Sequence, residues 1–222
     1  MSQAESVDRL IAGELQAHFA CATIGRQIIV LEQTASTNDA ILRLATHQGA
    51  GVSSPPSSFV NEGLVLFAEH QTAGRGRRGN RWESAAGKGL WFSVLLRPKI
   101  QINDSGQLTI WAIETISDVI RIEFSLEPAI KLPNDVQLSG RKVAGVLVEM
   151  RAQDKAPHLA VVGIGINVNQ SMEDFPPELQ DRAISLAMAL HRPVDRRQFA
   201  VAVLRYLDRT YRERFTDEAL QS

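Results

Sequence analysis

Cysteine is nearly absent from this sequence, which contains a single one, Cys21, among 222 residues. No internal disulfide can form, so we expect the reducing environment of the cytoplasm. A lone cysteine can serve as a nucleophile, but packing as a small apolar residue is the more common role. The sequence therefore gives no strong indication of thiol chemistry.

Long apolar runs and an excess of one charge are missing as well. No apolar stretch approaches the roughly 18 residues that a membrane helix requires. Lys and Arg total 24 against 25 for Asp and Glu, a net charge of −1, whereas dedicated nucleic-acid binders usually carry a basic excess. We therefore expect neither a membrane nor a DNA partner. Apolar residues make up 44% of the chain, enough for a sizeable core.

Hydrophobic periodicity predicts helices and strands that follow one another along the chain. Helices are predicted over residues 3–20, after the capping cluster 36–39, around 108–122 and over 195–215. Strands are predicted at 27–32, 63–69, 90–97, 141–150 and 158–168, with a loop at 49–62. Together they predict one α+β domain over 1–222, a mixed β-sheet packed with helices.

The segment 69–82, EHQTAGRGRRGNRW, is the most informative part of the sequence. Its glycines formally satisfy the dinucleotide pattern GxGxxG, but that pattern requires a helix opening at the glycines, and here another strand follows. Glycine lets a backbone approach a ligand closely, and arginine binds phosphate oxygens bidentately. Trp82 favours a loop that folds over a nucleotide, because an aromatic ring can cover adenine. A solvated basic loop and an RNA-binding segment are the alternatives.

Lys142 is the candidate cation of the strand at 141–150. Strand alternation places it on one face with Ala144, Val146 and Val148. Its ammonium is then expected at the edge of an apolar face, where it must meet an anion of the protein or of a ligand. A lysine that reaches out to water is an equally good interpretation of this segment alone.

The segment GIGINVN at 163–169 combines glycines with amides. Alternation places Gly163, Gly165, Asn167 and Asn169 on one face of the strand. Two positions without side chains beside two amides predict a floor on which a flat ligand can lie. Strand glycines also mark bulges, so that interpretation stays open.

Taken in order, these segments resemble the catalytic domain of the biotin protein ligases from about residue 28 to residue 169. The resemblance implies an α+β catalytic domain of the biotin/lipoate ligase type, similar to the class II synthetases. It also implies that ATP, with Mg²⁺, activates biotin as biotinyl-AMP, which then modifies a lysine of a biotin carboxyl carrier protein such as that of acetyl-CoA carboxylase. The motifs are STN at 36–38, GRGRRG at 74–79 with Trp82, KLPND at 131–135, RKVAGVLVE at 141–149 and GIGINVN at 163–169.

Matching positions in the family imply a role for individual residues, with Lys142 and Arg77 serving catalysis. No fixed metal site is implied, because Mg²⁺ would arrive with ATP, near Asp135. The implied biotin-binding residues are Ser36, Thr37, Asn38, Gln71, Arg75, Gly76, Arg77, Lys142 and Gly145. The implied ATP- and adenylate-binding residues are Arg77, Arg78, Trp82, Asn134, Lys142 and Asn167.

The sequence departs from the family pattern at Leu132, where tryptophan is usual, and at Asn80, where arginine is common. Upstream of about residue 28 the chain is too short for the winged-helix DNA-binding domain of repressor-type members, so we expect none. A small C-terminal β domain is also not expected, because the chain ends after the helix at 195–215. The resemblance to short relatives suggests a homodimer.

Three alternatives remain at this point. A lipoate ligase shares the fold and the adenylate chemistry, but its dithiolane needs an apolar slot, whereas Ser36, Thr37 and Gln71 offer donors and acceptors suited to a ureido ring. An octanoyl transferase would need a cysteine in the strand region, which has none. A non-catalytic biotin- or RNA-binding module is the third, although RNA binding favours stacking aromatics and aromatics make up only 6%.

Overall fold

The computed structural model describes residues 8–18, 23–46, 61–152 and 158–216. Within these residues seven strands form one mixed sheet, in the order β1-β2-β3-β7-β6-β5-β4. β1 and β2 run parallel, and the other neighbouring pairs are antiparallel. The strands are β1 (Ile28–Thr34), β2 (Val65–Gln71), β3 (Gly89–Leu96), β4 (Ala129–Lys131), β5 (Asp135–Leu138), β6 (Arg141–Arg151) and β7 (Leu159–Asn167).

The helices cover the sheet unequally. α3 and α5 pack against each other on one face, and α2 packs on the opposite face over β2, β3 and β7. No helix of the described residues is long and apolar enough to cross a membrane. The helices are α1 (Ala12–Ala17), α2 (Thr37–Thr46), α3 (Gly106–Phe124), α4 (Leu186–Leu190) and α5 (Arg196–Phe215).

Alternation along the central strands divides the core between these two faces. On β3, Phe92 and Val94 belong to the large cluster under α3 and α5, whereas Leu95 belongs to the small cluster under α2. Ser93 points to the α2 face and is fully buried. The face under α2 is thus only partly filled with apolar side chains, and polar groups occupy the rest.

The predicted α+β class is confirmed, and the five predicted strands are found as β1, β2, β3, β6 and β7 within a few residues of their expected bounds. The helix predicted after 36–39 is α2, the one around 108–122 is α3, and the one over 195–215 is α5. Asp195 caps α5, its side chain accepting hydrogen bonds from the backbone N–H groups of Arg197 and Gln198 at 2.9 and 3.1 Å.

The helix predicted over 3–20 is wrong in its extent, because only Ala12–Ala17 is helical within residues 8–18. Tertiary contacts override the helical pattern there. The backbone N–H of Leu10 donates to Glu69 at 2.8 Å, and Asp8 is paired with the buried Arg196 at 2.9 Å. Residues 3–7 and 19–20, Cys21 and most of the loop at 49–62 lie outside the described residues.

Three elements, β4, β5 and α4, have no counterpart among the predicted strands and helices. The PND sequence has turn residues, yet β5 begins at Asp135 and pairs with both β4 and β6. α4 has only five residues, too few for helical periodicity to be recognised. In the chain, β5 comes directly before β6, and α4 comes after β7. β5 also supplies the Asp135 side chain to the cavity described below.

Candidate functional site

A cavity of about 140 Å³ opens on the α2 face of the sheet. Its walls come from the start of α2, the end of β2, the loop at 74–82, and the middle of β6 and β7. We call the part beside α2 the α2 end and the part beside Lys142 the lysine end. The lining residues are Ser36, Thr37, Asn38, Gln71, Arg75, Gly76, Arg77, Asn80, Arg81, Trp82, Asn134, Asp135, Lys142, Gly145, Val146, Leu147, Gly163, Ile164 and Gly165.

Hydrogen bonds to neighbouring strands fix the first residues of α2 at the α2 end. Gln71, the last residue of β2, accepts a hydrogen bond from the backbone N–H of Thr37 at 2.8 Å. This bond satisfies one of the free N–H groups at the helix start. Ser93 lies within hydrogen-bond distance of the side chains of Thr37 and Asn38, at 2.8 and 2.6 Å. The side chains of Thr37 and Asn38 are therefore held by the sheet beneath them.

The arginine-glycine loop folds back on itself as a short hairpin. The backbone N–H of Trp82 donates to the Gly74 carbonyl at 2.9 Å, and the backbone N–H of Gly76 donates to the Asn80 carbonyl at 2.7 Å. At the base of this hairpin the Arg75 guanidinium forms two parallel hydrogen bonds to Glu149 of β6, at 3.0 and 2.6 Å. The loop is thereby joined to the sheet across the cavity.

Charge dominates this contact between Arg75 and Glu149. Burial raises the pKa of Glu149, but hydrogen bonds from Arg75 and Asn38 and the Arg75 charge outweigh it, so the net pKa is lowered. The pKa of Arg75 is raised for the matching reason, since the hydrogen bond to Glu149 and the charges of Glu149 and Asp39 outweigh burial. Both groups are ionised at neutral pH.

At the lysine end, Lys142 meets an anion of the protein. Its Nζ lies 2.7 Å from Asp135 Oδ1 and 5.0 Å from the centroid of the Trp82 ring. Its backbone is held by the 182–184 segment, because the Lys142 N–H donates to Arg182 and its carbonyl accepts from Ile184. An ammonium paired with one carboxylate beside an aromatic face can turn to a bound anion without leaving its site.

The parity predicted for Lys142 is wrong. Gln137 pairs with Lys142 and Val136 pairs with Ala144, so Val143 is an extra residue in the β6 ladder. Such a bulge shifts the alternation by one. Ala144 and Val146 belong to the core under α3 and α5, whereas the Lys142 side chain reaches the cavity and approaches Gly145. The bulge therefore turns a lysine that parity would bury into a cavity residue.

The glycines of β7 and β6 make room for side chains on the cavity floor. A Cβ on Gly163 would lie 2.2 Å from Asn38 Oδ1, and a Cβ on Gly165 would lie 2.5 Å from the Trp82 ring. Gly145 faces the same ring, with 2.9 Å between a Cβ and Trp82 Cζ3. The glycine part of the predicted floor is thus present, with Asn38 over Gly163 and Trp82 over Gly145 and Gly165, whereas neither Asn167 nor Asn169 lines the cavity.

Two residues with an implied role do not line the cavity. Arg78 is exposed on the outer side of the hairpin at a φ of 56°. Asn167 is buried, and its Nδ2 donates to the carbonyls of Lys142 and Ile184 at 3.3 and 3.2 Å. Asn167 therefore supports the Lys142 backbone from below, and its contact with a nucleotide stays a prediction. Leu132 is 67% exposed and also lies away from the cavity.

Sequence reasoning missed three residues of the α2 end, namely Asp39, Ser93 and Glu149. A signal existed for two of them, since Ser93 is the polar residue of an otherwise apolar strand and Glu149 stands two positions beyond Leu147 on the cavity face. Asp39 pairs with Arg75 at 2.8 Å, a contact that requires α2 and the loop to meet.

Metal ligands are not clustered in the described part of the chain, which has no group of three or more His, Cys, Asp or Glu side chains suited to a metal ion. Asp135 is a single carboxylate held by Lys142. Mg²⁺ commonly binds one or two carboxylates together with substrate phosphates. The donor set here suits an ion that comes with a phosphorylated ligand.

Comparison with known proteins places this fold in the biotin/lipoate protein ligase family. The structure of "Biotin protein ligase from Aquifex aeolicus in complex with biotin and ATP" superposes with a TM-score of 0.67 at 32% identity, covering 85% of this chain and 71% of that chain. The model of the Biotin/lipoate A/B protein ligase family matches residues 33–167. The chain belongs to that family.

Two curated relatives carry related names. The chain is 34% identical over 208 residues to the bifunctional ligase/repressor BirA of Bacillus spizizenii, covering 94% of this chain and 61% of the relative. It is 35% identical over 187 residues to the biotin--[acetyl-CoA-carboxylase] ligase of Mycobacterium tuberculosis, covering 82% and 63%. The chain thus spans about six-tenths of the length of these relatives.

Proposed function

We propose that this protein is a biotin protein ligase, which forms biotinyl-AMP from biotin and ATP and transfers biotin to a lysine of a biotin carboxyl carrier protein. The observation that carries the proposal is the convergence of Thr37, Gln71, the arginine-glycine loop and Lys142 on one cavity. The biotin ligases among its relatives, at 32–35% identity, support the choice of substrate.

The polar walls of the α2 end favour biotin over lipoate. Thr37, Asn38 and Gln71 bring hydroxyl and amide groups to the cavity, and a ureido ring can pair with such groups. A dithiolane ring has no acceptor suited to the Gln71 NH₂, and a buried polar group left without a partner costs about 1–3 kcal/mol. Hence the geometry supports a head group with several hydrogen-bond donors and acceptors.

The first step joins two anions, so its chemistry asks for fixed cations. The biotin carboxylate oxygen attacks the α-phosphorus of ATP, a carboxylate–phosphorus bond forms, and the bond to pyrophosphate breaks. Lys142 and Arg77 are placed in this proposal beside the charge that moves onto phosphate oxygens, where one donor typically contributes roughly 3–4 kcal/mol. Asp135 would hold Lys142 in place until the reactants arrive, and Mg²⁺ bound to ATP would neutralise part of the triphosphate charge.

The second step needs no nucleophile from this chain. A lysine amine of the carrier attacks the acyl carbon of biotinyl-AMP, an amide bond forms, and AMP leaves as the amine loses its proton. Trp82 and the loop are proposed to shield the mixed anhydride from water until the carrier docks. The carrier, a homodimer and the lack of a DNA partner stay predictions.

Mass spectrometry of the reaction products tests this proposal directly. The protein is incubated with Mg·ATP and either biotin or lipoate, and the acyl-adenylate is sought in each mixture. We expect biotinyl-AMP and, after addition of a biotin carboxyl carrier domain, a biotinylated lysine. Lipoyl-AMP formed in preference would assign the chain to lipoate, and no adenylate from either acid would reject ligase activity.

A further inference from the structure

We propose that Glu149 is a positioning residue that sets the hydrogen-bond polarity of the α2 end, an inference that rests on the proposed function. Glu149 lies on β6, and its carboxylate accepts hydrogen bonds both from Arg75 of the loop and from Asn38 of α2. Its Oε1 accepts from Arg75 Nη1 at 3.0 Å, and its Oε2 accepts from Arg75 Nη2 at 2.6 Å and from Asn38 Nδ2 at 2.8 Å.

The carboxylate dictates how the Asn38 amide is turned. An ionised carboxylate only accepts hydrogen bonds, so the Asn38 NH₂ must face Glu149 and its Oδ1 must face the other way. On that side Oδ1 lies 2.6 Å from Ser93 Oγ. An amide oxygen cannot donate, and the single hydroxyl hydrogen of Ser93 is therefore directed to Asn38.

The direction then passes to Thr37. The Ser93 hydroxyl also contacts Thr37 Oγ1 at 2.8 Å, with Thr37 accepting, and the Thr37 hydroxyl hydrogen is directed to Gln71 Oε1 at 3.2 Å. The Thr37 backbone N–H donates to the same Gln71 oxygen at 2.8 Å, so Gln71 Oε1 accepts two hydrogen bonds from Thr37. Thr37 Oγ1 is left to accept, and the Gln71 amide is left to donate, to whatever enters the cavity.

This arrangement of donors and acceptors determines which ligand groups can bind at the α2 end. Thr37 Oγ1 recognises an N–H group, and the Gln71 NH₂ recognises a carbonyl oxygen. A cyclic urea presents both in adjacent positions. Glu149 itself does not line the cavity, so it acts through Asn38, Ser93 and Arg75 and does not touch the ligand.

The test compares Glu149→Gln with Glu114→Gln, which breaks an ion pair of α3 and α5 far from the cavity, 2.6 Å between Glu114 and Arg214. Glutamine keeps the shape but places an NH₂ against Arg75 or Asn38, so the chain of donors is disrupted. We expect the KM for biotin to rise at least about tenfold, because the loss of one charge-assisted hydrogen bond corresponds to a change of that size. The kcat of adenylate formation and the KM for ATP should stay within about twofold. Glu114→Gln should match the wild type.

A biotin KM within twofold of wild type, or a fall in kcat at unchanged KM, would overturn the role of Glu149. Ser93→Ala is the second variant, which keeps the inference testable if Glu149→Gln does not fold. It should raise the same KM, and the double variant should lose less than the product of the two single effects. Fully multiplicative losses would show that Ser93 and Glu149 act separately. A wild-type protein that forms no biotinyl-AMP would instead reject the proposed function.

Discussion

At the α2 end of the cavity the polar side chains are paired with one another, whereas the loop that reaches the lysine end carries two side chains, Trp82 and Arg77, without such partners among the described residues. Thr37, Asn38 and Gln71 belong to one continuous hydrogen-bonded chain that ends on Glu149. By contrast, the buried Nε1 of Trp82 has no hydrogen-bond partner among the described residues, and no hydrogen bond or ion pair joins the Arg77 side chain to any of them.

The difference suggests that the two ends bind their ligands in different ways. A site whose side chains are already ordered loses little conformational entropy when a ligand binds. At the lysine end, the Trp82 ring lies over Gly145 and Gly165 and so occupies the floor of the cavity. The ring must therefore move before a nucleotide can lie on that floor. We therefore expect biotin to bind to a nearly finished site and ATP to complete the other one.

Removing the cation of the lysine end should have the largest effect. Lys142→Ala should slow biotinyl-AMP formation by roughly two to three orders of magnitude, as expected for the loss of one charge-stabilising donor. Lys88→Ala is the matched control, because Lys88 forms a similar pair with Asp174 at 2.8 Å but does not line the cavity. Single-turnover adenylation rates measure both, and a folded Lys142→Ala with a normal rate would contradict the assignment.

The Arg75–Glu149 pair holds the base of the arginine-glycine loop, and we expect the part beyond it to move without ligand and to close on biotin or its adenylate. Arg77→Gly removes a cation that has no hydrogen bond or ion pair within the described part of the chain, and it leaves Lys142 and the Arg75–Glu149 pair in place. A loss of about 2 kcal/mol in retention would raise the escape rate of biotinyl-AMP about thirtyfold. The released anhydride should label an unrelated lysine-rich protein in the same mixture. An unlabelled bystander, with adenylate still made, would mean that the loop does not retain it.

Substitutions of two glycines of β7, Gly163 and Gly165, test the two ends of the cavity separately. Gly163→Ala places a methyl group against Asn38, and Gly165→Ala places one against Trp82. We expect Gly163→Ala to weaken biotin binding about tenfold through the lost Asn38 hydrogen bonds. Gly165→Ala should instead raise the KM for ATP a few-fold by displacing the ring. Equal effects of both substitutions on biotin and ATP would mean that the ends are not separate.

Much of this arrangement follows from local patterns in the sequence. The strands β3, β6 and β7 carry apolar runs of strand length, and α2 begins within a cluster of capping residues, so their positions could be predicted. The alternation of Gly163 and Gly165 likewise predicted the floor of the cavity. Local chemistry and spacing contain enough information for these features.

What could not be predicted depends on contacts between distant segments. The side on which Lys142 lies is decided by the extra residue Val143 in the β6 ladder, which no pattern in the strand reveals. The partners of Arg75, Asp39 and Glu149, are 36 positions before it and 74 positions after it in the sequence. Their meeting requires the assembled sheet, so charge pairing across the cavity becomes visible only in the structure.

Calorimetric titration of each ligand alone tests the contrast between the two ends most directly. Biotin is titrated into the protein without nucleotide, and a non-hydrolysable ATP analogue is titrated with and without saturating biotin. The account predicts that biotin binds by itself and that the analogue binds at least several-fold more tightly once biotin is present. Equal affinity of the analogue in both titrations, or biotin binding that requires the analogue, would contradict it.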